Sequence, residues 1–239
     1  MSEQQPVTYA DWKGWDAEAF GCCSRAEALV FAQELRSAGV ASPRGLRVLE
    51  LGFGNGTFAA WCVQSGAQWV GTELSDALVG RAHAKGWQAF QSADLADLDP
   101  MQAFDLVVAW DVLEHIERKQ IGLIMDRLRR SLKPGGVLIA RVPSGDSPFG
   151  RSIQHGDMTH QLALGSMAVQ QLCAASGFSE VRCREPALPV WGLGWRVALR
   201  RILVHALRRL VFPVVERGLM GATGLVLTPN LVFVARRPR

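Results

Sequence analysis

The sequence contains few cysteines and no long apolar run, and both absences exclude kinds of protein. Its 239 residues include 5 cysteines, an odd number without a Cys-x-x-Cys pair, so neither a disulfide framework nor a thiolate zinc site is expected. The first residues lack the basic and apolar regions of a secretory signal, and no apolar run is long enough to cross a bilayer. We therefore expect a protein of the reducing cytoplasm.

Lysine is also scarce, and the positive charge is concentrated at one end of the chain. The formal net charge is +4, yet residues 186–239 hold nine arginines against one acid, Glu216. The rest of the chain is therefore net acidic. With 49% hydrophobic and 20% charged residues, the composition excludes a disordered chain and is typical of one sizeable globular domain with an appendage.

Short apolar segments alternate with helix-like segments between residues 46 and 186. The predicted strands cover residues 46–52, 68–74, 87–93, 104–111, 136–143, 179–185 and 230–237. The predicted helices between them cover residues 56–65, 76–85, 116–131 and 166–176. This alternation is typical of an α/β fold with a mostly parallel sheet.

A further amphipathic helix is expected before the first strand. The residues that share its apolar face are Ala28, Phe31, Ala32 and Leu35. We expect this helix to cover the sheet or to act as a lid. The aromatic residues in front of it are Tyr9, Trp12, Trp15 and Phe20. They either close over a bound ligand or dock the N-terminal segment on the domain.

The most informative motif is a glycine-rich turn between the first predicted strand and the helix that follows. Glu50-Leu51-Gly52-Phe53-Gly54-Asn55-Gly56 has the spacing Gly-x-Gly-x-Gly, whereas the dinucleotide fingerprint is Gly-x-Gly-x-x-Gly. Glycines at a strand-to-helix turn let the backbone approach a ligand closely and direct N–H groups of the helix N-terminus toward it. The motif therefore predicts a cofactor-binding turn.

The ends of the next three strands also carry candidate ligand-binding side chains, which are Glu73-Leu74, Asp94-Leu95 and Trp110-Asp111. Because the carboxyl ends of parallel strands meet at one edge of the sheet, these side chains should line one crevice with the glycine-rich turn. Glu73 lies where doubly wound folds place an acid that binds a ribose diol. Asp94 is placed to accept a hydrogen bond from an adenine amino group.

Taken in this order, the motifs resemble those of class I S-adenosylmethionine-dependent methyltransferases, with FDLVVAWDVLEHI and LKPGGVLIARVP following the glycine-rich turn. The resemblance implies a doubly wound, Rossmann-like sheet of seven strands whose last strand is antiparallel. It divides the chain into an aromatic segment with a cover helix, a cofactor-binding core, a basic helical insertion and a final strand. Their bounds are residues 1–45, 46–185, 186–229 and 230–239.

The resemblance also implies that S-adenosylmethionine is the cofactor. Glu50 would face its methionine end, Glu73 its ribose and Asp94 its adenine. The full set of residues implied to bind it is Glu50, Gly52, Phe53, Gly54, Asn55, Gly56, Glu73, Leu74, Asp94, Leu95 and Trp110. A nicotinamide-dependent oxidoreductase is disfavoured by the glycine spacing, and a non-catalytic cofactor-binding scaffold by the intact motif.

A second candidate motif follows the fourth strand. Asp111-Val112-Leu113-Glu114-His115 places two acids and an imidazole at i, i+3 and i+4, on one face if the chain is helical there. It resembles the acid-x-x-Glu-His element of small-RNA 2′-O-methyltransferases and ubiquinone-type O-methyltransferases, in which a later histidine helps to hold a divalent cation. Here His155 or His160 would be that histidine. The implied Mg²⁺ or Mn²⁺ site is Asp111, Glu114, His115 and His160.

Without a metal ion, His160 is the candidate general base. Imidazole titrates near neutral pH and can take a proton from a hydroxyl group as the methyl group transfers. Asp157 would orient the ring, and Asp111 would lie on the acceptor side. In the alternative, His160 is purely structural and precedes the next helix.

The polar loop and helix at residues 143–178 are similar to a subset of methyltransferases associated with bacterial surface-glycan and polysaccharide assembly. This similarity implies O-methylation of a sugar or another small-molecule acceptor, either free or carried on a nucleotide or a lipid. N-methylation of a small molecule is the alternative, because the fold alone does not fix the acceptor.

The basic insertion has a helical pattern of its own. The apolar residues that recur on one face are Leu199, Leu203, Leu207, Leu210 and Val214, with arginines over the rest. Such a helix packs against its own domain, joins a homodimer, or contacts a membrane peripherally through residues 191–217. A basic patch without an RNA-binding module is a weak indication of nucleic acid, which we do not expect as a partner.

Overall fold

A computed structural model describes residues 18–92, residue 95 and residues 104–239. Its strands are β1 (Arg47–Leu51), β2 (Gln68–Glu73), β3 (Gln88–Gln91), β4 (Phe104–Trp110), β5 (Leu132–Pro143), β6 (Ser179–Arg184) and β7 (Asn230–Arg236). Its α-helices are α1 (Arg25–Ser37), α2 (Thr57–Gln64), α3 (Asp76–Ala84), α4 (Ile121–Ser131), α5 (Arg151–Gln154), α6 (Ser166–Ala175) and α7 (Trp195–Val214). A 3₁₀ turn spans Leu113–His115, and a π-helical segment spans Val215–Met220.

The seven strands form one sheet with the order β3-β2-β1-β4-β5-β7-β6. Strands β1 to β5 pair in parallel, whereas β7 lies antiparallel between β5 and β6. The predicted doubly wound α/β sheet with an antiparallel last strand is therefore confirmed. The strand order reverses between β1 and β4, and ligands of such sheets bind at this switch point.

Each predicted strand is present, and the differences lie at the ends of elements. Helix α4 begins at Ile121, not at residue 116, because the residues after β4 form the 3₁₀ turn first. Strand β5 begins four residues earlier than predicted, since Leu132 already pairs with Phe104 before the register shifts. The φ of +78° at Gly135 lies in this irregular stretch.

The sheet is buried on both faces, which explains why the central strands have continuous apolar sequences. On one face, Leu49 and Leu138 pack with side chains of α4 and α6. On the other face, Val48 and Ile139 pack with side chains of α1, α2 and α3. All four side chains have no exposed surface. These two layers hold the carboxyl ends of β1, β2 and β4 in fixed positions.

The predicted cover helix is α1, and it packs on the second of these faces. The Phe31 ring meets Phe58 of α2 and Trp110 of β4, with centroid distances of 5.0 and 6.0 Å. Its Glu34 is buried, pairs with Arg184 of β6 and accepts a hydrogen bond from the Ala187 backbone. The cover helix is thereby attached to the far end of the chain as well as to the sheet.

One of the four aromatic residues before α1 lies in the described part of the chain. Phe20 is buried and contacts Phe53 and Trp87 at centroid distances of 6.4 and 5.9 Å. Its role is therefore to dock the N-terminal segment beside the glycine-rich turn. The other three, Tyr9, Trp12 and Trp15, lie outside the described residues.

The basic insertion forms α7, and its apolar face points to solvent. The exposed fractions of Leu199, Leu203, Leu207, Leu210 and Val214 are 51%, 60%, 60%, 73% and 65%. Within this helix Ala198 is the one buried residue. In the part of the chain that the structure describes, the leucine face is therefore not packed against its own domain. None of the helices in the described part of the chain is long and apolar enough to cross a membrane.

The start of α1 provides a test of the cover helix. The Ser24 hydroxyl accepts a hydrogen bond from the Glu27 backbone, and the Glu27 carboxylate accepts one from the Ser24 backbone. Replacing Ser24 with Ala should lower the free energy of unfolding by about 1 kcal/mol, because an N-terminal N–H group of the helix loses its partner. Urea unfolding measures this change, with Ser37→Ala in the last turn as the control. Equal losses in both variants would contradict the assignment.

Candidate active site

The glycine-rich turn has a backbone conformation that only glycine adopts readily. Gly52, Gly54 and Gly56 have φ values of +64°, +52° and +69°, in the left-handed region where other residues are strained. A Cβ atom on Gly52 would lie 2.6 Å from a methyl group of Val112, in the segment after β4. The turn therefore needs glycine both for its shape and for this close approach.

Glu73 lies at the end of β2 and holds the turn in place. Its carboxylate accepts hydrogen bonds from the backbone N–H groups of Gly54 and Leu74, at 2.9 and 2.7 Å. A third N–H, that of Ser75, lies at 3.4 Å. The predicted ribose acid is thus beside the predicted cofactor turn, whereas the Leu74 side chain is exposed.

Glu50 is the acid before the first glycine, and it is buried below the turn. Its carboxyl group accepts a hydrogen bond of 2.9 Å from the indole N–H of Trp69. Burial raises the pKa of Glu50 well above its ordinary value, although the bond from Trp69 acts in the opposite direction. The fold therefore favours the protonated form of this carboxyl group.

The other residues of the predicted cofactor site surround the turn at different depths. Phe53 is buried against Trp69, and Asn55 binds the backbone of Ala19. Trp110 at the end of β4 has a buried indole N–H with no hydrogen-bond partner among the described residues. Leu95 is buried, and Asp94 lies outside the described residues.

A second group of polar side chains lies in a cleft of about 290 Å³ next to the end of β4. Ligand atoms of Glu114, His115 and His160 lie within 4.8 Å of one another. The two imidazole rings meet edge to face at a centroid distance of 4.8 Å. The backbone carbonyl of Glu114 accepts hydrogen bonds from the N–H groups of Gln161 and Leu162. These two bonds bring the loop that carries His160 to the 3₁₀ turn that carries His115.

Hydrogen bonds fix which nitrogen of each imidazole carries the proton. His160 Nδ1 lies 2.9 Å from the carbonyl oxygen of Gln154, which can only accept, so Nδ1 is the donor. The Thr159 hydroxyl donates to Asp157 at 2.5 Å and lies 2.9 Å from His115 Nδ1. It therefore accepts from that nitrogen. In both neutral rings Nε2 is the basic atom.

Asp157 also lies next to His160. An oxygen of its carboxylate is 3.9 Å from His160 Nε2, and both side chains are more than nine-tenths buried. The carboxylate and the imidazole therefore lie side by side in a part of the cleft that is shielded from solvent. The other candidate from the same loop, His155, is exposed and is not among the residues that line the cleft.

Asp111 borders the same cleft but has a different partner. Its φ is +55°, and its carboxylate accepts two hydrogen bonds from the guanidinium of Arg141 on β5. Burial is the largest single effect and lowers the pKa of Arg141, but the hydrogen bond to Asp111 and the negative charges of Asp111, Glu34 and Glu114 together raise it above the ordinary value. Asp111 is not one of the three clustered residues, because the chain there forms a 3₁₀ turn and not an α-helix.

The sequence does not single out two polar residues that bind side chains of this cleft. Arg141 belongs to none of the motifs, although an arginine near the end of an otherwise apolar strand is a usable signal. Thr159, in the predicted polar loop, links Asp157 to His115. Both act on the orientation of residues that the sequence did predict.

Comparisons with known proteins place this arrangement among methyltransferases. A family model described as a methyltransferase domain matches residues 23–181. The ubiquinone biosynthesis O-methyltransferase of Nitrobacter winogradskyi is 34% identical over 101 residues, which are 40% of this chain and 38% of that protein. The ubiquinone biosynthesis O-methyltransferase of Bradyrhizobium sp. (strain ORS 278) is 32% identical over 100 residues, which are 40% of this chain and 39% of that protein. The chain therefore matches about two fifths of the length of these relatives.

Solved structures share the fold at low sequence identity. A SAM dependent methyltransferase from Archaeoglobus fulgidus has a TM-score of 0.62 at 16% identity, covering 87% of this chain and 94% of that one. The N-methyltransferase NodS from Bradyrhizobium japonicum, in complex with S-adenosyl-L-homocysteine, has a TM-score of 0.57 at 17% identity, covering 90% and 89%. These likenesses show a common architecture around the glycine-rich turn.

The buried carboxyl group of Glu50 predicts a pH dependence of stability. Because its pKa is raised in the folded state, the folded protein holds this proton after the unfolded chain has lost it, so stability decreases as the pH rises above the ordinary value of 4.5. Glu50→Gln should remove this decrease and gain at least about 1 kcal/mol relative to wild type between about pH 5 and about pH 8. Urea unfolding across this range measures the difference.

The control for this prediction is Glu117→Gln, which changes an exposed acid. Its unfolding free energy should follow that of the wild type at each pH. If the Glu50→Gln and wild-type curves also run parallel, the raised pKa of Glu50 is wrong.

Proposed function

Since the chain belongs to the methyltransferase-domain family, we propose that it transfers the methyl group of S-adenosylmethionine to a hydroxyl oxygen of a small-molecule acceptor. Family membership confirms the predicted enzyme class and the predicted cofactor. The observation that carries the proposal is that the glycine-rich turn and the acceptor cleft lie next to each other. Val112 contacts the turn, and Glu114 and His115, which line the cleft, come two and three residues later in the chain.

The residues present fit the cofactor. The three glycines have positive φ values and no side chains, so a ligand can approach the backbone of the turn closely. Gly56 directly precedes helix α2 and provides no side-chain cap for its first N–H groups. Glu73 would accept hydrogen bonds from the ribose hydroxyl groups. At the end of β4, the buried indole N–H of Trp110 has no hydrogen-bond partner in the described part of the chain. Asp94, the proposed adenine partner, and Glu50, proposed for the methionine end, complete the assignment. When bound, the cofactor supplies an electrophilic methyl group on sulfur.

The cleft residues would prepare the acceptor. His160 Nε2 would take the hydroxyl proton as the oxygen attacks the methyl carbon, while Nδ1 keeps its bond to Gln154. The carboxylate of Asp157, 3.9 Å away, would then stabilise the imidazolium. Asp111, held by Arg141, would border the acceptor and help to orient it, and orientation is a main source of rate in such a transfer.

The acceptor that fits this cleft carries polar groups. The cleft is lined by side chains that can bind hydroxyl groups, among them Ser152, Asp157 and Asn230. We propose a sugar or another small hydroxylated molecule, free or carried on a nucleotide or lipid. Oxygen is favoured over nitrogen because a hydroxyl group must lose its proton during attack, and the buried His160–Asp157 pair supplies a base.

A second candidate mechanism is favoured by the cluster of Glu114, His115 and His160. Two imidazoles and a carboxylate within 4.8 Å are a recognised set of metal ligands, and imidazole suits Mn²⁺ better than it suits Mg²⁺. A divalent cation held there would supply a Lewis acid for the acceptor hydroxyl. The Thr159–Asp157 link would orient His115, as residues around metal sites commonly do.

The role of Glu73 is tested by titration calorimetry with S-adenosylhomocysteine. Glu73→Ala removes the proposed ribose partner and the bond to Gly54, so the affinity should fall at least about tenfold, as expected for the loss of a charge-assisted hydrogen bond. Glu117→Ala is the control. Unchanged affinity in Glu73→Ala would remove this residue from the cofactor site, and absence of binding in the wild type would overturn the proposed function.

The metal candidate is tested by calorimetry with MnCl₂ and MgCl₂. Wild-type protein should bind Mn²⁺ more tightly than Mg²⁺, and His115→Ala and His160→Ala should each weaken binding at least about tenfold. The matched control is His155→Ala, which changes an exposed histidine outside the cleft. If the wild type binds neither ion, the metal candidate is rejected and the His160 base remains.

A further inference from the structure

A surface helix normally turns its apolar face toward the domain, whereas α7 turns its apolar face toward solvent. Its exposed apolar side chains form one stripe along five turns, which consists of Trp195, Leu199, Ile202, Leu203, Leu207, Leu210 and Val214. Trp191 before the helix and Leu219 after it are 73% and 81% exposed. A continuous apolar stripe of this length on a protein surface marks an interaction site.

The opposite side of α7 carries Arg201, His205 and Arg208 beside the buried Ala198, and it is this side that contacts the domain. The guanidinium of Arg201 donates to the carbonyl oxygen of Pro189. His205 contacts the carbonyl of Leu188 at 3.3 Å, and Arg208 pairs with Glu185 at 3.2 Å. These bonds hold the helix by its basic face, so its leucine face cannot turn inward without breaking them.

Positive charge borders the exposed stripe. At 100° per residue, Arg200 lies on one edge of the stripe and Arg209 on the other, with Arg196 near its start. All three residues are exposed, as is Arg217 in the π-helical segment. The one acid of this part of the sequence, Glu216, is turned toward the backbone of Leu225, whose N–H it binds at 2.7 Å. The surface is therefore apolar in its centre and cationic at its edges.

This charge pattern decides between the partners that an apolar stripe can have. In a symmetric pair of copies, the same cationic edges would face each other without an acid between them, and like charges repel. Anionic lipid headgroups complement the arginines, while the leucines and tryptophans enter the boundary of the acyl chains. Because no described helix can span a bilayer, the fitting geometry is a helix parallel to the surface.

Helix α7 is also close to the acceptor cleft. On the side of the helix away from the stripe, the ring of Phe212 stacks on Phe149 at a centroid distance of 6.5 Å. Phe149 precedes α5, whose Ser152 and Ile153 line the cleft. Phe149 and Ile153 are themselves 54% and 41% exposed, so exposed apolar side chains also lie between the helix and the cleft.

We propose that α7 binds an anionic membrane surface, with its leucine face in the headgroup boundary and its flanking arginines on lipid phosphates. The residues of this surface are distinct from those assigned to the cofactor, so membrane binding does not depend on the identity of the acceptor. Its place beside the cleft brings the candidate active site to the membrane surface, within reach of an acceptor held in the lipid.

Flotation with vesicles tests this proposal on the full chain. The wild type should float with vesicles of phosphatidylcholine mixed with phosphatidylglycerol, less with phosphatidylcholine alone, and less as the salt concentration rises. A Leu203→Glu, Leu207→Glu double variant should bind at least about tenfold more weakly. Two apolar side chains are lost, and the anionic lipids repel the two negative charges that replace them. Arg200→Glu, Arg209→Glu should bind more weakly and lose most of the salt dependence.

The matched control is Leu123→Glu, which changes a half-exposed leucine on α4 and should leave flotation unchanged. Circular dichroism and calorimetry with S-adenosylhomocysteine show that each variant is folded, so failure of the cofactor site is detected separately. The proposal is overturned if the wild type does not float with anionic vesicles or if the leucine variant floats equally well. It is also overturned if light scattering shows a wild-type dimer that the leucine variant dissociates, without any vesicle binding.

Discussion

The contact between Val112 and the backbone of Gly52 joins the two halves of the candidate active site. A methyl group of Val112 occupies the space that any side chain at position 52 would need. This van der Waals contact, together with the backbone pairing of β1 and β4, therefore fixes the distance between the cofactor turn and the acceptor cleft. Methyl transfer depends on the alignment of donor and acceptor, and rigid apolar contacts hold such an alignment better than mobile side chains.

The parts of the fold that the sequence predicts well are those in which one physical requirement dominates. Strands of the central sheet are buried on both faces, so their apolar runs are unambiguous. The glycine-rich turn is recognisable because its positive φ values exclude other residues. Glu73 follows from its position at the end of the next strand, and its carboxylate indeed binds the turn.

Other features depend on partners far away in the sequence. Asp111 pairs with Arg141 because β4 and β5 bring Trp110 and Arg141 into register, and no local pattern contains that information. The same holds for the short loop that carries His160, whose position depends on the carbonyl of Glu114. An apolar stripe on a helix likewise does not reveal whether it faces inward. In α7 the direction is decided by bonds of its basic face to residues 185–189.

The position of β7 has a consequence for the order in which the chain folds. Among the described strands, β6 is joined to the rest of the sheet only through β7, which lies between it and β5. During synthesis β6 leaves the ribosome before β7, with the whole of α7 between them. Until β7 arrives, neither β5 nor β6 has its β7 partner. The growing chain therefore exposes an apolar strand edge until its last strand has emerged.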